Sequence, residues 1–301
     1  MSSVIEVAGM TKRFGTLTAV NDISFHVERG EIFGLLGKNG AGKTTTVEIL
    51  EGYQTPDAGV VQVLGVNPKA GGGVWKDRIG LVLQESDFDP IHTVAETIQL
   101  FAGFFSKPRS LEETLELVGL SDKAHTRIGR LSGGQKRRVD VAMGIVGSPE
   151  LLFLDEPTTG FDPAARREFW AMLEGLRATG TSIVLTTHYM EEAQHLCDRI
   201  AIMSEGRIVA EGTSSSLISL AGATSIRFTR SDTVHLVQLV RETEIDFRLL
   251  GDVVSATVDD AQASLLRLLR WCERDGVALD GIEVVRPTLD DVFLNVTEEP
   301  K

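Results

Sequence analysis

The sequence predicts an α/β fold, and three observations carry the prediction. Short, continuously apolar runs at Ile32–Leu36, 151–154 and 183–186 have the pattern of strands covered on both faces. Helical patterns follow the first two, at 45–51 and from Pro163 to a stop at Gly180. Each run ends in polar or glycine-rich residues, at the strand ends where open α/β sheets place their ligands.

The 301 residues allow one large domain or two ordinary ones. With 42% apolar and 24% charged residues the chain reads as globular. Its formal charge of −13 argues against a nucleic-acid partner, which needs a concentrated basic face. Cys197 and Cys272 stand alone, without metal-ligand spacing, and read as small buried hydrophobes of a reducing compartment. No signal segment is evident, and no apolar run approaches the ~18 residues of a membrane helix. The expectation is a soluble subunit whose membrane work belongs to a partner.

Taken in order, residues 4–7 and 23–27 alternate apolar and polar as half-buried strands do. Lys12-Arg13-Phe14-Gly15 reads as a loop between them, and Phe14 either packs in the core or stacks on a nucleobase. Next comes Gly37-Lys38-Asn39-Gly40-Ala41-Gly42-Lys43-Thr44, the G-x-x-x-x-G-K-T phosphate loop, in its required setting between strand and helix. The glycines let backbone amides converge, Lys43 brings an ammonium to the β- and γ-phosphates, and the Thr44 hydroxyl can ligate Mg²⁺. Residues 57–59 read as a turn, 60–64 as a strand, and 69–73 as a flexible surface loop. The strand 79–83 delivers Gln84 at its C-terminal end.

From residue 90 to 147 the pattern turns helical, at 93–105, 111–118 and 135–147. Inside this insert Leu131-Ser132-Gly133-Gly134-Gln135 opens a helix, followed by Lys136-Arg137-Arg138. Its first amides make a second anion site, and two such sites invite the question whether both serve one nucleotide. The buried run 151–154 ends in Asp155-Glu156, adjacent carboxylates that are costly at a strand tip unless a cation or substrate offsets them. Asp162 caps the next helix, with Pro163 at its first position. His188 follows the run 183–186 and so can face the same crevice as Asp155. Residues 199–203 and 207–211 form a hairpin through 204–206.

With these residues in order, the chain resembles the ATPase subunits of ATP-binding-cassette (ABC) transporters. Leu131 to Gln135 is that family's signature sequence in full. The resemblance covers residue 4 to about 220, with every motif in the family's order. It implies a P-loop NTPase core with an antiparallel β subdomain and a helical signature insert at about 88–148, together forming a nucleotide-binding domain of residues 1–222. It implies ATP and Mg²⁺ as cofactors. Phe14 would stack on adenine; Gly37, Lys38, Asn39, Gly40, Ala41, Gly42, Lys43, Thr44 and Thr45 would hold phosphates. Thr44, Gln84 and Asp155 would bind the metal. Glu156 would be the general base, helped by Lys43, Gln84 and His188. Residues 158–162 would be the loop linking two protomers, with Asp162 near the nucleotide; Phe161 stands where the family usually has leucine. The family's head-to-tail dimer, of two copies or with a second such ATPase, would bring Ser132, Gly133, Gly134 and Gln135 of one subunit to the phosphate loop of the other, the pair resting on a transmembrane permease at the inner face of the cell membrane.

Residues 223–301 form an accessory domain. Strand patterns at 225–228, 247–250, 253–258 and 277–285, with helices at 234–241 and 261–274, give the order β-α-β-β-α-β of a small ferredoxin-like sandwich. Residues 287–294 add a helix with a Thr-x-x-Asp start, and this tail is similar to those of drug-resistance-type (daunorubicin-resistance-like) exporter ATPases. Three other assignments remain. A non-transport cassette ATPase is disfavoured by the single phosphate loop and the lack of heptads. An importer subunit is opposed only by the tail. A nucleotide-holding regulatory module is opposed by the presence of both Glu156 and His188.

Overall fold

The chain begins with a long antiparallel ribbon, β1 (Ser3–Phe14) and β2 (Leu17–Glu28), interrupted by register shifts. The computed structural model describes residues 3–82, 88–220, 224–229 and 236–297. Lys12, Arg13 and Phe14 belong to β1 and are not the loop read from the sequence. The shifts between Val7, Met10, Lys12 and Arg13 break the strict alternation by which a strand is recognised.

Next come β3 (Ile32–Leu36), α1 (Lys43–Leu50) and β4 (Ala58–Val63), which returns to pair with β1 and completes a three-stranded sheet ordered β2-β1-β4. Residues 69–73 are less loose than expected. A turn of 3₁₀ helix at Pro68–Ala70, capped by Asn67, leads into α2 (Gly73–Lys76). The reason is Trp75, which is buried and donates to Val63 O at 2.9 Å.

Then follow β5 (Ile79–Val82), α3 (Val94–Ala102), α4 (Leu111–Leu117) and α5 (Gly133–Ile145). The three helices of the insert start on the side-chain caps Thr93, Ser110 and Ser132. Two glycines hold α5 against β5: a Cβ on Gly80 would lie 2.1 Å from Gly144 O. The remaining elements of the first unit are β6 (Leu151–Asp155), α6 (Pro163–Ala178), β7 (Ser182–Thr187), α7 (Met190–Leu196), β8 (Arg199–Ser204) and β9 (Arg207–Gly212).

The main sheet is ordered β5-β6-β7-β3-β8-β9, parallel except for β9 at its edge. Its central strands are wholly buried, as their continuous apolar runs demand. The core lies between this sheet and the antiparallel one, where Phe25 and Phe33 stack at 5.3 Å and α1 touches β2, β4 and β6.

The chain divides into two compact units, Met1–Ser214 and Ser215–Lys301. Helix α8 (Ser214–Leu220) spans the division. The second unit contains β10 (Thr224–Thr229), α9 (Leu236–Thr243), β11 (Arg248–Leu250), β12 (Val253–Val258), α10 (Ala261–Asp275), β13 (Glu283–Val285) and α11 (Leu289–Thr297). Its strands form an antiparallel sheet ordered β11-β12-β10-β13 over a core that includes Phe228, Phe247, Leu268 and Trp271. The strand expected at 277–285 shrinks to its last three residues. Val277 N closes α10 by donating to Cys272 O, and Gly281 turns the chain at φ 64°. Cys197 and Cys272 are both free and buried. No described helix is long and apolar enough to cross a membrane.

Candidate nucleotide site

The sheet order brings three motifs together. Strands β6, β7 and β3 are neighbours, so Asp155, Thr187 and the loop after Leu36 leave the sheet side by side at its C-terminal edge. In the loop, each glycine has its own necessity. A Cβ on Gly37 would meet Met203 O at 2.7 Å; Gly40 has φ 82°; Gly42 has φ 101° and would place a Cβ 2.4 Å from Ala19 O. Gly42 also gives α1 no side-chain cap, so its first-turn amides stay available to an anion. Lys38, Asn39, Gly40 and Thr44 are exposed, Thr45 is half-buried and Ala41 is buried.

Lys43 is buried, with Nζ 2.9 Å from Gly37 O, 3.3 Å from Lys38 O and 3.3 Å from Glu156 Oε1. The Thr44 hydroxyl donates to Asp155 Oδ2 at 3.3 Å, while Asp155 Oδ1 accepts from the Thr186 hydroxyl. Two oxygen donors from different elements fit a hard cation that takes its remaining ligands from phosphate and water. Glu156 holds φ 43°, and its Oε2 lies 3.2 Å from His188 Nδ1 without the alignment of a hydrogen bond. Phe14 is 45% exposed, which removes the core-packing alternative. It borders a cleft of about 600 Å³ together with Asn39, Gly40, Lys43, Thr44, Thr45 and Glu156. Gln84 lies outside the described residues.

The signature residues stand elsewhere. Ser132 and Gln135 form a capping box at the start of α5, with Gln135 N donating to Ser132 Oγ at 3.3 Å and Ser132 N to Gln135 Oε1 at 3.1 Å. Ser132, Gly133 and Gly134 line a separate depression of about 690 Å³ with Asp162 and again Glu156. The Asp162 carboxylate is engaged as the cap of α6, accepting from Ala164 N and Ala165 N, both at 2.9 Å. One chain thus holds the phosphate loop and the signature in two clefts, with Glu156 on the border of both.

These findings fit the comparisons with known proteins. A family model described as "ABC transporter" matches residues 20–159. The Nod factor export ATP-binding protein I of Paraburkholderia xenovorans (strain LB400) is 40% identical over 98% of this chain and 97% of its own length. The chain belongs to the ABC transporter family. The corresponding protein of Rhizobium sp. (strain N33) is also 40% identical, over 99% of this chain and 98% of its own. An ATP-binding cassette of an ABC transporter, solved in its ADP conformation, superposes with a TM-score of 0.65 over 72% of this chain and 93% of its own, at 23% identity. At that identity the likeness speaks for the fold. As a member of this family the subunit binds ATP and hydrolyses it to power transport.

Three features in or beside these clefts escaped sequence reasoning. The turn Glu205-Gly206, at φ 49° and 75°, lines the nucleotide cleft and is tied to the phosphate loop by Gly206 N to Ala41 O at 3.1 Å. Its motif reads only as a hairpin turn. Arg137, noted merely as one of three basic residues, reaches from α5 to Pro157 O and Asp155 O, both at 3.0 Å. Burial lowers its pKa, opposed first by Asp140. Glu192 on α7, fully buried, accepts from Thr158 Oγ1 at 2.8 Å and Trp170 Nε1 at 3.2 Å. No local signal marks a glutamate on an otherwise ordinary helix.

Proposed function

We propose that this subunit drives an exporter as one half of a head-to-tail dimer, in complex with a separate transmembrane permease at the inner face of the membrane. The carrying observation is the division of phosphate loop and signature between two clefts of one chain. A second copy, inverted against the first, closes each phosphate loop with the partner's Ser132, Gly133, Gly134 and Gln135. Export is supported by relatives that carry it in their names and match nearly the full chain. Kinship to drug-resistance-type exporters rests on the terminal helix, where Thr288 and Asp291 cap each other. The order β-α-β-β-α-β supports a ferredoxin-like reading of the accessory domain.

The residues present suggest the chemistry. Phe14 stacks on the adenine, and the loop amides with Lys38, Asn39, Ala41 and Thr45 enclose the phosphates. Mg²⁺, held by Thr44, Asp155 and Gln84, would neutralise charge on the β- and γ-phosphate oxygens. In the free chain Lys43 is shared among two carbonyls and Glu156. A γ-phosphate competes for that ammonium, and Glu156 is released to take a proton from the attacking water, a role worth about 10²–10⁴-fold. His188, beside Glu156, orients the water and the γ-phosphate. Asp162 contributes by fixing the start of α6 next to the partner's nucleotide.

Complementation tests the composite site. Lys43→Ala loses ATP binding and Ser132→Arg binds ATP without turnover, so each is inactive alone. Mixing them restores activity, because a mixed dimer has one site with both halves intact. A mixture as inactive as its components would overturn the head-to-tail arrangement.

A further inference from the structure

Strand register sets Asp155 opposite Thr186 on the parallel pair β6 and β7, so their side chains share one face of the sheet. Thr186 is fully buried in a strand whose preceding residues are Ile183, Val184 and Leu185. A buried hydroxyl is costly unless it is bonded, and this one is bonded twice. It donates to Asp155 Oδ1 and accepts from Glu156 N at 3.0 Å. The Thr186 carbonyl also accepts from Glu156 N, at 3.2 Å. The residue so held has a left-handed backbone at φ 43°, which residues other than glycine rarely adopt and which persists only where surroundings enforce it.

We propose that Thr186 is the positioning residue for both carboxylates of the hydrolytic site, setting Asp155 toward Thr44 and Glu156 toward Lys43 and His188. One hydroxyl does this from a strand that also carries His188 just beyond its end. Asp155 Oδ2 is left directed at the Thr44 hydroxyl because Oδ1 is engaged. Glu156 reaches Lys43 and His188 with its two oxygens because its backbone is fixed at the strand tip. Packing alone does not call for threonine here. Valine has the same shape, is equally suited to a strand and brings no polar group to bury.

The inference rests on the hydrolytic reading above, and the test separates the two. Thr186→Val and Thr186→Ser are compared with the wild-type subunit in complex with its permease. ATP affinity is measured in EDTA with a fluorescent ATP analogue, and kcat and KM are measured with Mg²⁺. Thr186→Val lowers kcat by about 10²-fold, the scale of a misplaced general base, with analogue affinity within a few-fold of wild type. Thr186→Ser, which keeps the hydroxyl, restores most of the rate. Wild-type turnover from Thr186→Val, measured beside an active wild-type control, overturns the inference and leaves the hydrolytic reading standing. Proportional loss of affinity and rate in both variants, with a lowered melting temperature, overturns it too, since the residue is then merely structural. An inactive wild type instead refutes the reading on which the inference rests.

Discussion

Helices α1 and α5 both begin at glycine-rich turns and both border clefts that Glu156 also lines, yet their N-termini are finished in opposite ways. Helix α1 starts behind Gly42, which has no side chain to cap it. Helix α5 starts behind Ser132, where Ser132 and Gln135 bond each other's backbone amides. An anion arriving at α1 meets no side-chain cap and competes only with the partners of Lys43, whereas at α5 the Gln135 amide is already held by a cap worth about 1 kcal/mol. In the proposed head-to-tail dimer, the difference gives the two halves of the composite site an order. On that reading the phosphate loop binds ATP in a single chain, and the signature engages afterwards through the Gly133 and Gly134 amides, which the Ser132 cap does not use.

The glycines break the comparison most directly. Gly42→Ala combines a backbone at φ 101° with a 2.4 Å clash against Ala19 O, so the loop cannot form. The expected result is complete loss of ATP binding in titrations with a fluorescent analogue. Near-normal affinity would mean the loop's shape is not what holds phosphate.

Gly133→Ala is the opposite case. A Cβ there meets nothing within 4 Å, and α5 gains roughly 0.5–1 kcal/mol in helix propensity. The variant should melt no lower than wild type and bind ATP equally well as a single chain. Its hydrolysis should fall by about tenfold or more, near 1.4 kcal/mol of barrier, because the methyl group fills space that the partner's phosphate needs. Unchanged hydrolysis would mean that this glycine faces no ligand.

The same contrast explains what was legible in the sequence. Both helix starts were readable, because loop glycines and a capping serine act within a few residues of themselves. So were the buried strands β3, β6 and β7, whose apolar runs end in chemistry. The strand order was not, since pairing β7 between β6 and β3 is decided by crossovers, not by any local pattern. Thr186 was lost for that reason: its role depends on which residue sits opposite it across two strands. Phe14 reads as a loop residue because bulges in β1 hide the alternation, and Val277 reads as a strand residue because an apolar residue after α10 looks alike whether it pairs or merely closes the helix.

The far end of α1 sharpens the comparison with the smallest effect. Helix α5 ends without charge in its last turn, whereas α1 ends on Glu51, an acid at the negative end of a dipole. Burial, then the charges of Asp155 and Glu48, push the Glu51 carboxyl from 4.5 up to about 8. The folded chain therefore retains a proton that the unfolded chain gives up. The stability linked to it is full below pH 4.5 and is lost as pH rises towards 8, after which the curve flattens. Discounted for partial exposure, the loss is about 1–2 kcal/mol. Glu51→Gln has no such proton, so its melting temperature should decline less across that window, the advantage over wild type growing until about pH 8. Parallel melting curves for the two proteins would show that Glu51 is already ionised in the fold, a charge at the end of α1 that α5 does not carry.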